Sequence, residues 1–97
     1  MRIVFHPRVY AEIDAIMRYY EDTVGALLAN DFYQEFRLAV LRVAAHPEHI
    51  QEQLDGYKRV NLKRFPYNFL FREKEDHIRI LVVRHNARHP AYGAQRK

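Results

Sequence analysis

Cysteine and tryptophan are absent from this chain of 97 residues, and it holds only three glycines and four prolines. Without cysteine there is no disulfide and no thiolate metal site. The default for such a chain is a reducing compartment, and we expect a cytoplasmic protein of bacterial or archaeal type. Gly25, Gly56 and Gly93 lie far apart, so no glycine-rich loop can cradle a phosphate. There is also no serine nucleophile elbow and no paired-carboxylate motif. No apolar run approaches the roughly 18 residues a membrane helix needs. The opening residues Met1 to Phe5 are too short for a signal peptide and meet Pro7 at once. Repeats, linkers and low-complexity segments are missing as well.

What remains is a chain 48% hydrophobic and 13% aromatic, too apolar for disorder. We expect a single domain over residues 1–97 that buries roughly 60–70% of its unfolded surface. Arg2 to Phe5 reads as a strand, broken by His6-Pro7. Val9, Ile13, Ile16, Met17 and Tyr20 then recur at helical spacing, with Glu12, Asp14, Glu21 and Asp22 off the stripe. Gly25 interrupts. Leu28, Phe32, Phe36, Ala39, Val40 and Val43 form a second stripe that His46-Pro47 terminates, so the two helices should make an antiparallel hairpin. Residues 48–56 read as a polar loop with room for one helical turn.

The period changes to two after Gly56. Lys58, Val60 and Leu62 alternate with Tyr57, Arg59 and Asn61, and Tyr67, Phe69 and Phe71 with Asn68, Leu70 and Arg72. Ile78, Ile80 and Val82 alternate with Arg79, Leu81 and Val83 beyond a turn at Glu75-Asp76. Three strands joined by short turns predict an antiparallel meander. The order β-α-α-β-β-β implies an α+β fold, with the helical hairpin packed on one face of a small antiparallel sheet and the other face open. Tyr67, Phe69 and Phe71, like Phe32 and Phe36, are expected to be core.

Charge is divided along the chain. The net charge is +4, but residues 1–57 hold five Lys/Arg against nine Asp/Glu, whereas residues 58–97 hold eleven against three. The second half is thus +8, and the reading it suggests is a sheet whose open face is cationic and meets a polyanion or an acidic protein. The alternative is that these cations keep the sheet and its edges soluble.

In that order, the strand ending near Pro7, the hairpin closed by His46-Pro47, the Leu62-x-Arg64-Phe65-Pro66-Tyr67 core and the terminal His85-x-x-Arg88-x-Pro90-x-Tyr92 resemble the RelE/ParE superfamily of type II toxins. The likeness covers essentially the whole chain. It implies a plasmid-stabilisation-type toxin neutralised by a cognate antitoxin with an acidic toxin-binding segment. The ParE branch poisons DNA gyrase, and the RelE branch cleaves mRNA on the ribosome without a metal or other cofactor. RelE-like enzymes carry lysines on the first meander strand and an arginine on the second. The resemblance places those positions at Arg59, Asn61 and Asn68. Metal-free cleavage needs a base, an acid and fixed cations around the phosphorane. Asn61 and Asn68 can supply none of these, so the ParE-like reading is favoured, and the chain reads as a binder rather than an enzyme. A RelE-like endoribonuclease and a non-toxic nucleic-acid-binding remnant are the alternatives.

Candidate residues follow from both routes. Arg59, Lys63, Arg64, Arg84 and Arg88 are candidates for binding the target or an anion, since guanidinium groups contact phosphate and carboxylate bidentately. Arg88, Tyr92, His85 and Arg59 would be catalytic only in a ribonuclease. For Arg88 the alternative is a bond that closes the fold onto a backbone carbonyl. Tyr92 can stack on a base or plug its ring into the sheet, and His85 shares its expected face with Leu81 and Val83. His85 and His89 sit four apart, as chelating pairs do on a helix, but at a strand end. Neither that pair nor His46 and His49 shows a third ligand, so no metal is expected.

Overall fold

The computed structural model describes residues 1–97, the side chain of Leu54 excepted. Strand β1 (Arg2–Phe5) leads into α1 (Pro7–Thr23) and α2 (Ala26–Ala45). Two 3₁₀ turns, Pro47–His49 and Leu54–Gly56, precede the strands β2 (Lys58–Asn61), β3 (Tyr67–Glu73) and β4 (His77–His85). The chemistry at each boundary is visible in the sequence. His6 caps α1, its Nδ1 accepting from the Arg8 N–H at 3.1 Å, and Pro7 occupies the first helical position where no donor is needed. Gly25, at φ 147°, separates α1 from α2 in a conformation other residues resist.

The meander β2-β3-β4 is antiparallel, as its short turns required. β1 adds in parallel to β4, from Arg2 opposite His77 to Phe5 opposite Ile80, giving a four-stranded mixed sheet in the order β1-β4-β3-β2. The parallel pairing needs a crossover, and the helical hairpin is that crossover. Val9, Ile16 and Tyr20 of α1 and Phe32, Phe36, Val40 and Val43 of α2 pack on Phe69, Phe71, Ile78 and Ile80. Phe32 is fully buried among the rings of Tyr20, Phe36, Phe65 and Tyr67, all within 6.5 Å of its centroid. That burial contributes about 2–3 kcal/mol.

Two features depart from simple alternation. The register shifts from Leu70 opposite Val82 to Phe71 opposite Ile80, so Leu81 is the extra residue of a β-bulge. Val82 therefore joins Leu70 and Leu81 in a second cluster on the face away from the helices, and Val83 joins the main core. His85, for which the shared face with Leu81 and Val83 left burial open, is exposed at the strand end with its ring against Tyr67. The face expected to be open is not open: residues 86–97 fold back over it. Gly93 crosses so close to Val82 that an added Cβ would lie 2.5 Å from the valine Cβ, and its φ is +77°. Tyr92 and Ala94 pack on the buried Leu70, Leu81 and Val82.

Candidate functional site

The returning tail is held by arginines. Arg84 on β4 is 4% exposed, and its Nη1 donates to the carbonyls of Pro90 and Tyr92, both at 2.7 Å. Its Nε donates to Asn68 Oδ1 at 3.0 Å, and the Asn68 amide donates in turn to Asn86 Oδ1 at 2.9 Å. Burial first, and the nearby Arg59 charge second, pull the Arg84 pKa below the usual arginine value, yet a guanidinium stays protonated. Arg72 reinforces the seam by donating to the carbonyls of Asp55 and Ala94.

A second brace closes the edge of β4 beyond the end of β1. Val83 N donates to Glu12 Oε1 at 3.0 Å, and Arg96 Nη1 donates to Leu81 O at 3.1 Å. The two side chains meet in an ion pair of 2.8 Å and are only 15% and 10% exposed. The pair thus supplies the acceptor and donor that a longer β1 would have offered. Neither residue was singled out from the sequence. Glu12 lies off the apolar stripe of α1, and its partner is 84 positions away.

Three of the four candidate catalytic residues are brought together. His85, Arg88 and Tyr92 line one cavity of about 180 Å³ with Glu12, Ile16, Tyr67, Val83 and Arg84. The Arg88 guanidinium lies 4.5 Å over the Tyr92 ring, so Arg88 stacks and Arg84 makes the fold-closing bonds. Arg96 approaches the same ring at 5.4 Å. His85 Nδ1 accepts from Ala87 N at 2.9 Å, which leaves its Nε2 to meet a ligand. Burial, then the neighbouring Tyr20, raise the Tyr67 phenol above its ordinary pKa. An imidazole, a guanidinium and the Glu12 carboxylate thus border the same cavity.

Arg59 lies apart from that cavity, with its Nε on Asn61 Oδ1 at 2.9 Å. Lys63 and Arg64 belong to a different surface. Their backbone N–H groups donate to Glu35 of α2, Lys63 at 2.6 Å, and the Arg64 guanidinium faces Asp31 at 3.5 Å. They border a groove of about 360 Å³ between α2 and β2 whose floor includes Leu38, Ala39, Val60 and Leu62. The reading of a uniformly cationic open sheet face is therefore corrected. Lys58 is bonded to Glu73 and the Pro47 carbonyl, Arg64 to Asp31, Arg96 to Glu12, and Arg72 and Arg84 to backbone carbonyls. Much of the +8 is mortar. Arg59, Lys63, Lys74, Arg79, Arg88 and Lys97 remain half-buried or exposed around the molecule.

Among the described residues no helix is long and apolar enough to cross a membrane. Among solved structures the chain is similar to the "Chromosomal ParDE TA system from P. aeruginosa", at 23% identity and a TM-score of 0.78, over 88% of this chain and 95% of that one. It is also similar to the isolated E. coli RelE toxin, at 12% identity and a TM-score of 0.56, over 96% and 92% of the two chains. These likenesses show the fold: two helices on a mixed sheet in the same element order. No curated protein matches the sequence. The family model described as "ParE toxin of type II toxin-antitoxin system, parDE" matches residues 3–90. The chain belongs to the ParE toxin family of type II toxin–antitoxin systems.

Proposed function

We propose that this ParE-family chain arrests growth in the cytoplasm by binding a protein target such as DNA gyrase, without cutting RNA, and that a cognate antitoxin neutralises it. The observation that carries this reading is the state of Asn68. It occupies the position where a RelE-like cleaving enzyme would present an arginine. Here it is neutral, 1% exposed, and hydrogen-bonded through its oxygen to Arg84 and its nitrogen to Asn86, beneath the returning tail. A group so placed neither reaches a substrate nor stabilises a phosphorane. The second such position, Asn61, is exposed but uncharged and accepts from Arg59.

The test is gyrase supercoiling in vitro with purified toxin, where lost supercoiling and trapped cleavage complexes are expected. Full activity with no trapped complexes would refute the gyrase target. The endoribonuclease reading is supported by one feature, the shared cavity of His85, Arg88 and Tyr92. It requires codon-linked cuts by primer extension that vanish in Arg88→Ala. Expression without growth arrest would instead favour an inactive family member. For the antitoxin, an amphipathic acidic segment suits apolar grooves such as the one beside Ile3, Phe5, Phe36 and Val40, with Arg37 at its rim.

A further inference from the structure

We propose that His46, Glu48 and His49 form a surface site for a divalent transition cation, with Zn²⁺ the best fit. The site is built by the turn that ends α2. His46 N still donates to Arg42 O at 3.1 Å, but Pro47 then starts a 3₁₀ turn in which His49 N donates to His46 O at 3.1 Å. Three residues per turn eclipse side chains three apart. The imidazoles of His46 and His49 accordingly stack, centroids 4.8 Å apart and planes within 8°. Glu48, between them in sequence, swings its carboxylate to both rings: Oε1 is 3.3 Å from His46 Nδ1 and 4.0 Å from His49 Nε2. A donor atom from each residue lies within 4.8 Å of the other two. Tetrahedral zinc with bonds of about 2.0–2.2 Å holds its ligands roughly 3.4 Å apart, so closing the set needs one exposed imidazole to rotate out of the stack and turn its lone pair toward the ion.

The donor set decides the class of ion. Two imidazoles and one carboxylate suit zinc, copper or nickel, whereas calcium and magnesium take oxygen ligands. The position favours a cation as well, because the carbonyls at the C-terminus of α2 carry partial negative charge. Behind the ligands, Pro47 is buried and its carbonyl accepts from Lys58 Nζ at 2.7 Å. That lysine is neutralised by Glu73 at 3.0 Å, so its charge does not oppose a bound ion. The sequence showed the two histidines but no third ligand. Only the tight turn makes Glu48 that ligand.

Tag-free protein, stripped with chelator and titrated with ZnCl₂ by calorimetry at about pH 7.5, tests the assignment. We expect saturable uptake of one equivalent and a rise in Tm on adding zinc. Affinity should weaken roughly tenfold or more in His46→Gln, in His49→Gln and in Glu48→Gln. All three side chains are exposed, so the variants should fold. His77→Gln, at the far end of β4, should bind as the parent does. Absence of saturable uptake, or uptake that survives both His46→Gln and His49→Gln, overturns the site.

Discussion

Arg84 occupies a place where a charge is tolerated only because its donors are matched. Its guanidinium reaches two backbone carbonyls and one amide oxygen from inside a nearly dry seam. Arg84→Ala removes all three bonds and strands the acceptors, and we expect a loss of about 3–4 kcal/mol by urea denaturation. A loss below about 1 kcal/mol would mean that the tail is held mainly by Tyr92 and Ala94. A single ammonium cannot reproduce the fork, so Arg84→Lys should recover little. His6 makes a prediction in pH. Its pKa is lowered by desolvation first, then by the positive fields of Arg96, Arg79 and Arg8, with Glu12 opposing. A lowered folded pKa means that the contribution is whole above the unfolded value near 6.5 and is lost as pH falls below it. Protonation at Nδ1 also removes the acceptor that caps α1. Unfolding midpoints in urea should therefore drop less on acidification for His6→Asn, which caps without titrating, than for the parent. Equal drops would exclude His6 as a source of acid sensitivity.

Elements with long periodic stripes were legible in the sequence. The helical positions from Val9 to Tyr20 and from Phe32 to Val43 lie in or against the core, and the rings of Tyr67, Phe69 and Phe71 line the helix side of the sheet. The bulge at Leu81 was not legible, because a run of Ile, Leu and Val reads the same in either register. It is braced from outside the strand, by Arg96 on the Leu81 carbonyl and Glu12 on the Val83 N–H. Nor was the fate of residues 86–97, since their short polar turns fix no direction until Val82 and Gly93 meet. These two omissions explain why Arg84 could be named as a candidate for binding while its bonds to the carbonyls of the returning tail went unseen. Glu12→Ala should cost about 3 kcal/mol, because it orphans the Val83 N–H and leaves Arg96 largely buried without its counter-charge. Hydrogen exchange should locate the damage: the Val83 amide should lose protection before amides in the centre of β3 do. Uniform loss across the sheet would contradict a local edge brace.

At the scale of the whole molecule, charge is split between construction and display. The arginines and the lysine engaged in seams and ion pairs contribute little to an external field, while Arg59, Lys63, Lys74, Arg79, Arg88 and Lys97 contribute most. An acidic antitoxin segment should still be steered, but by a smaller effective charge than the C-terminal half suggests. Its association rate should fall about tenfold as salt rises from roughly 0.05 to 0.5 M, measured by stopped flow. A rate indifferent to salt would mean that the displayed cations are incidental to capture. The Glu12–Arg96 brace has another consequence, one of timing. Glu12 is made 84 residues before its partner, which at 5–20 residues per second is an interval of roughly 4–17 s. Until Arg96 is added, Glu12 lacks its counter-charge and the Leu81 carbonyl lacks the guanidinium that caps the edge of β4.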